Sequence, residues 1–187
     1  MKKFELTNEF VTNMFGTKLF RIRALVEFGD VEAGELGGYV EKESNLGHDD
    51  NAWVYGDARV YDNALVYDNA RVYGDAQVSG DARVYDNARV YGDAWVYGDA
   101  WVYGNALVCG DARVCGNGDY AYAHGFGSVN RTTTFFRLKD GGVGVRCGCF
   151  YGTLAQFRDK IRETHGETKK AQEYLMLADL MKLRFEK

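Results

Sequence analysis

From Asn51 to Gly116 apolar and polar positions follow a six-residue phrase that repeats eleven times without a gap: Asn/Asp, Ala, any residue, Val, usually Tyr, Gly/Asp. Side chains of a strand point alternately to opposite faces. Ala and Val therefore share one face of each segment, and the variable residue and Tyr share the other. Ala and Val recur without exception, as at Ala58/Val60, Ala82/Val84 and Ala100/Val102, so they are predicted to line the inside. The Gly/Asp–Asn/Asp pair between segments tolerates left-handed backbone angles, as a sharp corner every six residues requires. Self-similarity at this period predicts a parallel β-helix, a solenoid whose units pack only on their neighbours.

The flanks break the phrase. Lys3–Thr7 and Lys18–Val26 alternate like strands, with Gly16 in the turn between them, and predict an N-terminal β-hairpin over residues 1–28. In Gly29–Asp50 the apolar Leu36, Val40 and Leu46 do not together keep the hexad phase. This stretch is read as an irregular first coil that caps the solenoid and hides its open edge. After Gly116 the phrase decays through NGDYAY and AHGFGS, as the other end would close, so solenoid and capping coils occupy 29–128. Residues 129–187 predict a small α+β domain. Arg131–Leu138 and Val143–Phe150 are strands around an Asp140-Gly141-Gly142 turn, and Thr153 with Gln156 forms a capping box opening a helix that ends at His165-Gly166. A second helix runs from about Thr168 to Phe185. It is apolar around most of its circumference, which predicts burial against another subunit.

Small-x-Val followed by Gly-Asp or Gly-Asn resembles the left-handed β-helix of hexapeptide-repeat proteins. The resemblance implies three hexads per triangular coil, residues eighteen apart stacked on one another, and between three and four coils. The flanking segments AGELGGYVEKESNLGHDDNAWVYG and FFRLKDGGVGVRCGCFYGTLAQF resemble proteins encoded in phage and prophage genomes. The fold expected is mainly β: a left-handed parallel β-helix with an N-terminal hairpin cap and a small α+β C-terminal domain.

Composition narrows the function classes. A net charge of −4 over 187 residues argues against a generic nucleic-acid binder, which carries a basic stripe. No apolar run approaches the roughly 20 residues of a membrane helix, and Met1–Phe10 has no apolar core of a signal peptide. Four cysteines suit a reducing compartment better than a disulfide framework. A cytoplasmic protein is expected, in the host cytosol if phage-encoded.

Stacking by eighteen sorts the outward positions into three faces, and the first carries Trp53, Arg71, Arg89 and Leu107 beside Tyr55, Tyr73, Tyr91 and Cys109. Adjacent strands lie about 4.8 Å apart. Arg71 directly beneath Arg89 is therefore unfavourable unless an anion lies between them or a partner's acids meet them. Arg71, Arg89, Tyr73, Tyr91 and Trp53 are the candidate site for a planar phosphorylated ligand, with Arg146 and His165 a second candidate in the C-terminal domain. A plainer reading stands beside it: Tyr and Trp are good strand formers, and stacked rings support one another.

Cys147-x-Cys149 with His165 offers three zinc ligands where a structural site takes four, and the Asp57, Asp75, Asp93, Asp111 edge is explained by turn preference without calcium. No metal or cofactor is expected. No hexad contains a histidine and no loop interrupts the coil, where hexapeptide-repeat acyltransferases resembling this chain carry their general base. The chain is thus expected to be a non-catalytic, phage-related binding protein, a homotrimer held by the C-terminal helix and the third solenoid face. Its role would be counter-defence, by sequestering a small anionic nucleotide-like host molecule or by binding a host protein. An acyltransferase-like enzyme is the alternative.

Overall fold

The computed structural model describes residues 2–186. Strands β1 (Phe4–Thr12) and β2 (Lys18–Ala24) form an antiparallel hairpin, and β2 pairs antiparallel with β3 (Leu36–Val40). Eleven two-residue strands follow, one per hexad, from β4 (Trp53–Val54) to β14 (Arg113–Val114). They pair in parallel at eighteen-residue spacing: Trp53 with Arg71, Arg71 with Arg89, Arg89 with Leu107 on the first face. Arg59, Gln77, Trp95 and Arg113 form the second face, and Leu65, Arg83 and Trp101 the third. The chain thus carries a β-solenoid of three hexads per coil, about four turns long.

The repeat phrase accounts for this geometry. Every Ala and Val of the eleven hexads is wholly buried, so the interior is a narrow column of small side chains. The sixth residue of each hexad except the last has φ between 55° and 71°, whether it is Gly or Asp. Where it is Asp, the carboxylate stabilises the next corner. Asp62 Oδ2 accepts from the Gly80 N–H (3.1 Å), Asp68 Oδ2 from Asp86 N–H (3.3 Å), and Asp86 Oδ2 from Gly104 N–H (3.0 Å). The short polar side chain that tolerates the left-handed angle is also the one that reaches this donor.

Two expectations for the flanks change. Val40 pairs with Val60 and Leu46 with Val66, each twenty residues apart rather than eighteen. The first coil therefore keeps the hexad spacing but is shifted by two residues, absorbed in the stretch before Asn51. At the other end, the stretch after Gly116 does not close a coil. Tyr120 falls at the inward Val position of the hexads, and its larger ring lies at the end of the solenoid core. The chain instead leaves as β15 (Tyr120–Phe126), the edge of an antiparallel sheet with β16 (Arg131–Arg137), β17 (Val143–Cys147) and β18 (Phe150–Thr153). One side of this sheet sets Tyr120 and Phe136 on the end of the solenoid core, while Phe135, Val145 and Cys147 face the helices.

Helix α1 (Leu154–His165) opens on the Thr153/Gln156 capping box, and α2 (Lys169–Phe185) on Thr168. Phe157, Ile161, Tyr174 and Ala178 pack against the sheet, whereas Met176, Leu180 and Leu183, spaced to share one helical face, remain exposed. Of the expected encirclement of α2, this stripe is the part its own sheet leaves uncovered.

Val84→Asp would place an unpaired carboxylate in the column and is expected to destabilise by about 4 kcal/mol or more, whereas Arg83→Gln, on the outward position beside it, is expected to be nearly silent. Chemical denaturation of the two variants checks the register; equal losses would contradict it.

Candidate functional site

The first face assembles only part of the expected site. Trp53 occupies the outward position of its hexad, yet it is 0 % exposed. The N-terminal hairpin covers it: Phe4 and Phe28 meet the indole edge-on, with centroids 6.2 and 5.3 Å away. Lys3 seals the same region from below. Its ammonium donates to the Ala52 carbonyl (2.9 Å) and to those of Asp50 (3.3 Å) and Asp49 (3.4 Å), and it lies 4.6 Å from the Phe28 ring centroid. Desolvation pushes this amine down to about 8, against the pull of Asp50 and Asp49. Trp53 is therefore a structural residue of the cap and no ligand can reach it.

Arg71 has a partner within the chain. Its guanidinium donates to Asp30 Oδ2 (2.7 Å), and the Tyr55 hydroxyl donates to Asp30 Oδ1 (3.1 Å). Burial opposes ionisation of Asp30, but the Tyr55 hydrogen bond and Arg71 together hold its carboxyl below the ordinary value. Burial, with Asp30 adding and Arg71 opposing, pushes the Tyr55 hydroxyl up to about 12. The acid that relieves Arg71 thus comes from the irregular first coil, neither from a ligand nor from a neighbouring subunit.

Arg89, one step above, is exposed and has no ion-pair partner among the described residues. Tyr73 and Tyr91 lie beside it face to face, with centroids 4.8 Å apart and planes 1° from parallel. Stacked this closely, they leave no gap for a base and present edges and hydroxyls instead. Burial raises both hydroxyls. Arg89 and Arg146 oppose it at Tyr73, and Arg146 opposes it at Tyr91, where the Cys109 thiol adds to the rise.

Arg146 arrives from the C-terminal sheet, in the cross-strand row Tyr122–Thr134–Arg146–Tyr151. That row lies over the top of the first face, where Thr134 Oγ1 accepts the Leu107 N–H (2.9 Å). Arg146 Nη1 reaches only the Cys149 carbonyl, at 3.4 Å, and its Nε is buried without a partner. The two candidate sites thus merge in part: Arg89, Arg146, Tyr73 and Tyr91 form one patch. His165 does not join it. It stacks on Tyr174 (5.8 Å) at a cavity between α1 and the sheet, which Cys147 and Cys149 also line. Among the described residues no three His, Cys, Asp or Glu side chains converge to hold a metal.

The remaining histidines lie off the repeat faces. His48 Nδ1 accepts from the Lys3 N–H (3.1 Å), which leaves Nε2 to donate to Glu43 (2.9 Å), and His124 Nδ1 lies 2.9 Å from the Thr132 hydroxyl. On the other faces arginines meet tryptophans: Arg83 lies over Trp101 and Arg113 over Trp95, each 5.0 Å from the ring centroid. There the plainer reading of the outward residues, mutual support along the ladder, accounts for what is seen.

One group of residues escaped sequence reasoning. Trp101, Asn117, Tyr122 and Arg184 line a cavity of about 600 Å³ on the third face. Counting would have found the place: eleven hexads over three faces leave one face a strand short.

Residues 52–67, 58–74, 64–80, 76–92 and 82–98 each match the family model of the YdcK beta solenoid repeat. No curated protein matches the chain significantly.

Trp53→Ala is expected to cost about 3–5 kcal/mol in chemical denaturation, as for other fully buried large side chains, while Arg89→Ala should change stability by no more than about 0.5 kcal/mol. Similar losses in the two variants would show that Trp53 and Arg89 do not differ as cap and surface.

Proposed function

We propose that this β-solenoid is a rigid, non-catalytic scaffold that captures a small anionic ligand on its first face, through Arg89 and Arg146. One observation carries the reading. Of two arginines stacked in one row, the lower is neutralised by Asp30 and the upper is not, and a third guanidinium with a buried unpartnered Nε approaches from above. An oxyanion would turn this uncompensated positive charge into attraction. Because Tyr73 and Tyr91 stack on each other, the face recognises the charged end of a nucleotide-like molecule and not its ring.

Further features belong to the same proposal. The coil is of the left-handed hexapeptide-repeat type, supported by three hexads per turn and the inward Ala-x-Val. That the ligand is a host molecule, held as a counter-defence, rests on the resemblance of the flanks to phage and prophage proteins. The protein is a homotrimer, supported by the exposed stripe Met176, Leu180 and Leu183 on α2. Leu180→Asp with Leu183→Asp should lower the mass measured by light scattering to that of one chain; a wild-type protein already monomeric at micromolar concentration would end this part of the reading.

The ligand site is tested with inorganic pyrophosphate, which has charge and no ring. Each charge-assisted contact contributes about 1.5–3 kcal/mol, so Arg89→Ala with Arg146→Ala should weaken calorimetric binding of pyrophosphate by well over tenfold without unfolding the protein. Unchanged affinity would refute the site. Dissociation of the oligomer in the same variant would show instead that these arginines meet a neighbouring subunit.

A further inference from the structure

The third face carries three strands, β6 (Leu65–Val66), β9 (Arg83–Val84) and β12 (Trp101–Val102), against four on the first face. A twelfth hexad would have completed it. In its place is a step about 4.8 Å high, the spacing of one strand, and the cavity of about 600 Å³ occupies it. The edge of β12 is closed to another strand. The Trp101 N–H donates to Asn117 Oδ1 (2.8 Å), and the Tyr120 ring stands perpendicular to the Tyr103 ring at 6.5 Å. What the step offers is therefore side-chain surface.

That surface has a defined chemistry. Arg83 covers one face of the Trp101 indole at 5.0 Å and does not line the cavity, so the opposite face borders it; Trp101 is 42 % exposed. Of the neighbouring tyrosines, Tyr85 is stacked on both faces, and Tyr67 and Tyr103 on one each. Tyr67, Tyr85 and Tyr103 stack at 5.0 and 5.3 Å, and Tyr120 and Tyr122 close the top of the pile edge-on. They contribute hydroxyls and edges. Arg184 of α2 donates one N–H to the Asn117 carbonyl (3.2 Å) and keeps its other donors. The lining holds this guanidinium and no carboxylate.

We propose that the notch left by the missing hexad binds a planar heteroaromatic ring bearing an anionic group, of the nucleoside monophosphate class. The ring stacks on the free face of Trp101, as a side chain of the absent strand would have done, and the anionic group meets Arg184. A cationic ligand would face Arg184 with nothing to neutralise its charge, and a purely apolar one would leave the guanidinium and the Asn117 amide uncompensated. Stacking of a base on an aromatic side chain contributes enough for its loss to be read as about tenfold or more in affinity.

The proposal is independent of the first-face site, and calorimetry with AMP, GMP, CMP and UMP tests it on the full chain. At least one should bind wild type. Trp101→Ala and, separately, Arg184→Ala should weaken that binding by tenfold or more, with the thermal unfolding midpoint held within a few degrees. The same two losses should be read in an Arg89→Ala, Arg146→Ala background, where binding at the first face does not enter the measurement. Failure of all four nucleotides to bind at millimolar concentration, or wild-type affinity in Trp101→Ala, would overturn it.

Discussion

The hydrogen-bond ladder that climbs this chain in steps of eighteen residues has to end somewhere, and each end leaves backbone groups to be satisfied. The N–H groups of the outward residues donate upward to carbonyls of the next coil, as from Arg71 to Ala88 and from Tyr73 to Val90, and the parallel pairing of these strands turns the N–H groups of the inward residues the other way. The bottom of the stack is left with backbone groups of its inward residues and the top with those of its outward residues, N–H and carbonyl alike, and buried groups of either kind need partners. The N-terminal segments supply donors: the Lys3 ammonium to Ala52 and the Asn45 amide to Ala64 and Asp62. The C-terminal segments supply acceptors: Thr134 for Leu107, Asn117 for Trp101, and Asp119 for Cys115 and Gly116. Each cap thus satisfies backbone groups of the end it closes.

Capping also decides which outward residues stay available. Strand alternation sends Trp53, Arg71 and Arg89 out of the coil alike, but the hairpin buries the first and Asp30 neutralises the second. Only the third, farther from the N-terminal cap, keeps an unbalanced charge. From the other end the capping sheet brings Arg146 down toward the same row. The positive patch is thus what two caps leave between them, on a face whose repeat sequence alone would make all its arginines equivalent.

Aromatic ladders follow a similar logic. Rings at eighteen-residue spacing stack on one another, which stabilises the coil and uses up their faces. A ring face becomes free only where a ladder stops without a ring above it. The third face stops one strand early, and there the indole of Trp101 is left uncovered.

The repeat region was legible in the sequence because its determinants are local. The period of six, the inward Ala and Val and the corner residues each follow from neighbours within one hexad, as the Thr153 capping box and the start of α2 follow from a single helical turn. The hexad count, not divisible by three, already implied an uneven end. Tertiary structure alone decided the rest. Asp30 meets Arg71 across forty-one residues, Phe4 and Phe28 bury Trp53, Arg146 reaches the first face from a different sheet, and the two-residue shift of the first coil appears only in its pairing. These contacts join segments that share no period, and alternation along a strand specifies a direction for each side chain without specifying what another part of the chain will place in its way.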